Sequence, residues 1–350
     1  MRAGILGAGP IAQFAHLDAC RRARNVELYA VCDVARDLLD RVRAVHQPAC
    51  TYSSYEDMLS DGKVEAIIIA TTDAFHVPLA ARAVAAGKHV LVEKPLGITI
   101  EECDALAASV RKSGIAAQVG FNNRFEPSLA FAKRFVDAEM GKRAVFNAWY
   151  CDSVDRYTMT DNLQPIPLRS LDAKKPDVDP KADKRRYFLA THGSHLVDMA
   201  QFMAGSISAV CARWQESAAA HTWSVELEFD AGCLGHLTLI IPARSDFQTG
   251  VQLFGEGGSV QGRLYLPWYR KAGDIECFSN RDGLYRRPLG ADADTYKLQL
   301  ESFADVILKG NPLWGASIDS GVENMRALVA IAKSCETGGW VRLADVSGGI

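Results

Sequence analysis

The chain has 350 residues, 48 % of them hydrophobic and 23 % charged, with a formal net charge of -3. Such a composition is that of a globular chain of about two domains and excludes a disordered, collagen-like or coiled-coil protein. The balanced charge offers no cationic field for nucleic acid or an anionic lipid surface. No apolar run reaches the ~20 residues of a membrane span. The opening stretch, with a glycine-rich turn breaking its apolar run, does not read as a secretory signal. Nine cysteines are scattered singly without a CxxC pair. Neither a disulfide framework nor a structural zinc site is expected, and a reducing cytoplasm is.

The first third alternates strand and helix. An apolar run over 3–6 ends in Gly7-Ala8-Gly9, and Ile11, Ala12, Phe14, Ala15 and Ala19 follow at helical spacing. A second run, 26–32, ends at Asp33, and Val34, Leu38, Val42 and Val45 then mark the apolar face of a charged helix. The near-continuous apolar run 66–70 reads as a strand buried on both faces. The next helix stops at Gly87, and 89–92 is a further strand. Thr99 and Glu102 form a capping box for the helix after it, and 116–121 is the sixth strand. Strands and helices in this rhythm predict right-handed crossovers and a doubly wound parallel sheet, a Rossmann domain over 1–121.

From about residue 142 the pattern changes. Segments 145–151, 209–215, 223–229, 233–241, 249–254 and 259–264 read as strands. Tight turns such as Asp230-Ala231-Gly232 and Gly255-Glu256-Gly257-Gly258 join several of them, which requires antiparallel pairing. Alternation, as in Val225-Glu226-Leu227-Glu228-Phe229, puts one face on a core. The other face is left to water or to another subunit. Helices over 295–308 and 320–334 close the chain. The expectation is a second, α+β domain over 122–350 with a large open, mostly antiparallel sheet. Residues 152–186, with four prolines and little periodicity, read as a long loop or arm, either a solvated surface feature or a functional one.

The most informative motif is Gly7-Ala8-Gly9-Pro10-Ile11-Ala12, a G-x-G-x-x-A sequence between a strand and a helix. Gly7 permits the tight turn, Gly9 lets a pyrophosphate approach bare backbone, and the small Ala12 lets helix and strand pack closely. Pro10 suits the first helical position, where no N–H is needed. Diphosphate oxygens would sit on the helix N-terminus with Ile11 behind them. Asp33, about 20 residues on, can accept from both ribose hydroxyls and would repel a 2′-phosphate. That favours NAD over NADP, with Arg36 the one nearby group pulling the other way.

Two further clusters, Glu93-Lys94-Pro95 after the fifth strand and Gly193-Ser194-His195-Leu196-Val197-Asp198, join the fingerprint. Ala70-Thr71-Thr72-Asp73 to His76 and Gly120-Phe121-Asn122-Asn123-Arg124-Phe125 extend the pattern. Together they resemble the glucose-fructose oxidoreductase / inositol dehydrogenase / rhizopine-catabolism (Gfo/Idh/MocA) family over essentially the whole chain. The resemblance implies NAD(P)-dependent oxidation or reduction of a sugar, cyclitol or derivative. It also implies a homodimer or homotetramer assembled through the open sheet. It places Thr71, Thr72, His76, Glu93 and Lys94 at the cofactor. Its catalytic lysine maps onto Lys94 and its catalytic histidine onto His195. Many members carry an acidic residue four positions before that histidine. Here Thr191 stands there, and the adjacent His192 is a third catalytic candidate that can take over part of its role.

The chemistry points the same way. Oxidising a secondary alcohol needs a hydride acceptor and a base for the hydroxyl proton. Histidine titrates near ~6.5 and serves without much tuning, whereas lysine, near ~10.4, needs desolvation or a neighbouring cation. His195 is therefore assigned as general base, and Lys94 as the group that hydrogen-bonds the reacting oxygen and shares the proton; the reverse assignment obeys the same chemistry. Arg124, Tyr150, Asp152, Arg156, Tyr157 and Tyr187, with Thr191, His192 and His195, are the candidate contacts for a polyol. The spacing of His192, His195 and Asp198 does not favour chelation of one ion, so no metal is expected. Two other readings stay open: an NAD-dependent glycoside-modifying enzyme with transient sugar oxidation and elimination, and a non-catalytic NAD-binding sensor.

Overall fold

The computed structural model describes residues 1–153, 167–171, 182–218, 220–290 and 292–350. Arg156, Tyr157 and most of the 152–186 arm lie outside the described residues. Packing divides the chain into two units. One takes in Met1–Asn122, Tyr296–Val322 and the described part of Gln164–Ala182; the other holds the remainder.

In the first unit six strands, β1 (Arg2–Leu6), β2 (Glu27–Cys32), β3 (Cys50–Tyr52), β4 (Ala66–Ile69), β5 (His89–Val92) and β6 (Ala117–Val119), pair in parallel. Their order is β3-β2-β1-β4-β5-β6. The chain reverses its direction of winding between β1 and β4, so a crevice opens at the carboxyl ends of these two strands. The four residues of β4 are fully buried, as its unbroken apolar run requires. A wide, π-helical turn over Ala12–His16 leads into α1 (Leu17–Arg22). Then come α2 (Arg36–His46), α3 (Tyr55–Ser60), α4 (His76–Ala85) and α5 (Ile100–Ser113). Thr99 and Glu102 form the expected capping box on α5.

The apolar face expected for α2 is corrected. The helix begins at Arg36, so Val34 precedes it and is 88 % exposed, and Val45 is 54 % exposed; Leu38, Leu39 and Val42 make the buried stripe. The helical period decides which side chains share a face, and a residue ahead of the first turn has no place on it. Strand β6 is also shorter than expected, since Gly120 and Phe121 leave the ladder.

In the second unit α6 (Pro127–Glu139) precedes β7 (Arg143–Ser153). A short helix, α7 (Lys184–Phe188), runs through a second π-helical turn, Leu189–Gly193, into α8 (Ser194–Ala204). The 152–186 expectation is thus corrected at both ends: β7 extends through Ser153, and α7 begins at Lys184, capped by Asp183. Eight further strands complete a sheet: β8 (Ile207–Glu216), β9 (His221–Phe229), β10 (Leu234–Ala243), β11 (Gln248–Gly255), β12 (Gly258–Leu264), β13 (Asp274–Ser279), β14 (Leu284–Arg286) and β15 (Trp340–Arg342). The order is β14-β13-β12-β11-β7-β10-β9-β8-β15, antiparallel except for the parallel pair β7–β10. Helices α9 (Thr295–Lys309) and α10 (Ile318–Thr337) close the chain. Trp223, Val225, Leu227 and Phe229 of β9 are buried, while Ser224, Glu226 and Glu228 face out. Strand register sets Val145, Phe254, Ser259, Phe278 and Tyr285 in one row across the open face. Among the described residues no helix is long and apolar enough to cross a membrane, and all nine cysteines are free.

Candidate active site

The glycine turn is built as its residue types dictate. Gly7 has φ +93°, donates to Cys32 O at 2.8 Å, and would set a Cβ 2.7 Å from Ala70 O. A side chain there meets both backbone strain and a carbonyl. Gly9 differs: a Cβ on it would stand in open space, with nothing within 4 Å. Ala12 is fully buried where the helix crosses the sheet. Asp33 reaches back to the turn, its Oδ2 accepting from Ala8 N at 2.7 Å and its Oδ1 from Ala35 N at 2.9 Å. A carboxylate has about four acceptor sites, so lone pairs remain for two hydroxyls. Room above Gly9, a helix N-terminus and a fixed, half-exposed carboxylate fit a dinucleotide with free ribose hydroxyls.

The turns after β4 and β5 border the same crevice. Thr71 is half-buried and Thr72 exposed. His76 is buried, its Nδ1 2.7 Å from Pro95 O and its Nε2 3.1 Å from Thr71 O, and it ties these two turns together. Glu93 is also buried. Its Oε1 meets His16 Nε2 at 2.7 Å, and its Oε2 accepts from Lys94 N at 3.1 Å. Burial pushes the Glu93 carboxyl up, but the His16 hydrogen bond and the His16 and Lys94 charges outweigh it and hold it below the usual carboxylate range. The Lys94 side chain is half-buried.

Gln13 supplies a contact that no local pattern announces. Its amide donates to Ala8 O at 2.8 Å and Leu168 O at 2.9 Å, and accepts from Leu168 N at 2.7 Å. Asp37 of α2 accepts from Ser170 Oγ at 2.6 Å and from Leu171 N at 2.7 Å, and Arg41 donates to Arg169 O at 2.8 Å. Residues 167–171 are thereby fastened to the helices that follow the glycine turn and Asp33.

The second unit assembles the other candidates. Alternation along β7 puts Tyr150 and Asp152 on its buried face. The Tyr150 ring lies edge-on to His192, centroids 5.7 Å apart, and parallel to His195 at 6.2 Å. His192 Nε2 is 3.1 Å from Asp152 Oδ2. The Thr191 hydroxyl donates to Tyr187 O at 2.6 Å, so at 2.8 Å its oxygen is left to accept from His192 Nδ1. Arg124 is placed differently. Its Nε and Nη2 donate to Asp198 Oδ1 at 3.0 and 2.7 Å, and its guanidinium lies over Phe202. Burial pushes the Asp198 carboxyl up against the opposing pull of Arg124. Among the described residues no group of three or more His, Cys, Asp or Glu has metal-holding geometry.

A six-stranded doubly wound sheet with a dinucleotide turn is thus joined to a second unit in which His192 and His195, on a π-helical turn and the helix after it, meet Tyr150 of a mostly antiparallel sheet, the architecture expected of a nicotinamide-nucleotide oxidoreductase. Residues 1–121 match the oxidoreductase family, NAD-binding Rossmann fold, and residues 187–343 match that family's C-terminal alpha/beta domain. The chain belongs to this family, Gfo/Idh/MocA, and is an NAD-binding oxidoreductase. It is 26 % identical over 314 residues to the uncharacterized oxidoreductase YrbE of Bacillus subtilis (strain 168), covering 87 % of this chain and 85 % of that one. It is 31 % identical over 154 residues to scyllo-inositol 2-dehydrogenase (NAD(+)) of the same organism, covering 43 % of this chain and 45 % of that protein. Levoglucosan dehydrogenase in complex with NADH shares the fold, with a TM-score of 0.80 at 19 % identity over 99 % of this chain and all of that one.

Proposed function

We propose that the chain is an NAD-dependent dehydrogenase that oxidises a secondary hydroxyl of a sugar, cyclitol or sugar derivative, or reduces the ketone. The observation that carries this reading is the grouping of His192, His195, Tyr150 and Asp152 in the second unit, in a family whose first unit holds the Asp33 turn and Lys94. Relatives named for inositol support a cyclitol-like alcohol.

Bound nicotinamide supplies hydride acceptance; the chain supplies position and proton handling. His195 takes the hydroxyl proton, and Lys94 hydrogen-bonds the reacting oxygen. Thr191 carries no charge, so the acidic function passes to Asp152, which acts through His192 and stabilises the ring that relays the proton. Asp33 and the glycine turn hold the coenzyme, with Thr71 and Thr72 lining its crevice. Arg124 holds Asp198. The assembly is proposed to be a homodimer or homotetramer through the open sheet.

The test is a screen of sugars and cyclitols with NAD and NADP, followed at the absorbance of the reduced coenzyme. His195→Ala and Lys94→Ala should bind NADH like the parent and lose roughly 10²–10⁴-fold in turnover. Undiminished turnover rejects the assignment. Product formation without net NADH would favour the transient-oxidation reading, and no turnover on any alcohol the sensor.

A further inference from the structure

A buried acid and a buried histidine sit directly behind Lys94, and neither is explained by the hydrophobic core around them. His16 closes the widened π-helical turn Ala12–His16 and is fully buried. Its Nε2 meets Glu93 Oε1 at 2.7 Å, and its ring stands edge-on to Tyr296, centroids 5.6 Å apart. Its Nδ1 has no hydrogen-bond partner among the described residues. Glu93 then reaches forward, since its second oxygen accepts from the backbone N–H of Lys94 at 3.1 Å, and its own N–H is held by Ile69 O at 3.0 Å. Interrupting a regular helix with a wide turn is costly and is frequent at functional sites. Here the wide turn delivers one imidazole to one carboxylate.

A purely structural role would be met more cheaply by two apolar residues, because burying an acid and a histidine carries a desolvation cost. What the pair does that apolar residues cannot is keep a negative charge beside the lysine that begins the Glu93-Lys94-Pro95 turn. The imidazole holds that charge in place.

We propose that His16 is a positioning residue for Lys94, acting through Glu93, and that it links the helix of the dinucleotide turn to the ammonium group of the site. The inference rests on the reading that Lys94 serves catalysis. His16→Leu leaves Glu93 Oε1 without its donor. Glu93→Gln keeps the shape and removes the charge. His16→Gln restores an N–H donor.

Two measurements test it. The first is turnover on the alcohol found in the screen, together with NADH affinity by fluorescence titration. Both His16→Leu and Glu93→Gln should lose roughly 10- to 100-fold in kcat, while KM and NADH affinity stay within about threefold. His16→Gln should recover most of the loss. The second needs no substrate: competitive acetylation of the folded chain, read lysine by lysine by mass spectrometry. With the neighbouring carboxylate lost or neutralised, more of Lys94 is free amine, so its labelling should rise about threefold or more while Lys63 and Lys112 stay unchanged. If His16→Leu does not fold, Glu93→Gln alone decides. Unchanged kcat and unchanged Lys94 labelling in a folded variant overturn the inference. A loss confined to NADH affinity overturns it as well. Full turnover by Lys94→Ala would instead sink the functional reading, and the labelling would still report whether His16 and Glu93 govern that amine.

Discussion

Single residues divide sharply by whether their partners are local. Gly7 and Gly9 are legible because a turn with φ +93° and an open approach each ask for glycine inside a six-residue motif. They predict different failures. Gly9→Ala puts a methyl group into open space without backbone strain, so the melting temperature should hold while NADH affinity falls about tenfold or more, measured by fluorescence titration. Gly7→Ala should lower the melting temperature too, because its Cβ meets Ala70 O. Arg124 and Asp198 were visible as chemistry but not as a pair. Arg124→Ala strands a buried carboxylate and should cost about 3–5 kcal/mol by chemical denaturation. His16 carries no sequence signature, because a lone histidine among Ala12, Ala15 and Leu17 has no sequence partner to identify it. Only tertiary packing brings Glu93 to it.

Elements were legible where pattern and cap agreed. Helix α5 carries its capping box, and β9 alternates along its length. Strands β3, β14 and β15 are three residues each, too short to show a period, and β13 reads ambiguously among charged residues. Helix α6 hides a device that its sequence shows only in part. Glu126 caps it, accepting from Leu129 N at 2.7 Å, and also holds Gly273 N at 2.8 Å beside β13. Glu126→Ala should cost about 2 kcal/mol. Burial pushes the Glu126 carboxyl up, and its backbone donors pull it only part of the way back. The folded state then holds this proton to higher pH than the unfolded chain does. Its contribution to stability is complete below the unfolded value, near ~4.3, and is lost as pH rises through the folded one. Glu126→Gln should flatten that part of the stability profile, seen as denaturation midpoints measured from pH 4 to 7.

At the scale of the molecule, the alternation of strand and helix was enough to give the class of the first sheet, since a doubly wound order follows from connection rules, and tight turns gave the antiparallel character of the second, though not its edge strands. The open face of the second sheet was legible as half-buried, but its apolar row was not. That row needs the register that sets Phe254 opposite Val145 and Phe278 opposite Tyr285. Phe254 is 42 % and Tyr285 63 % exposed, so the row leaves apolar side chains facing water in a single copy of the chain. If that row pairs copies of the chain, as proposed, Phe254→Lys should give a smaller species by light scattering, with each unit still folded.

The fastening of Leu168 by Gln13 also bears on how long a coenzyme stays. If coenzyme sits against the glycine turn that this segment braces, its release follows the loosening of that brace, a step that can limit turnover in a dehydrogenase that gives up NADH each cycle. Gln13→Ala removes three hydrogen bonds at about 1 kcal/mol each and should speed NADH release about tenfold or more in stopped-flow displacement. A parent protein that emerges from purification with nucleotide aboard, and a variant that emerges without it, would be the same property seen at the bench.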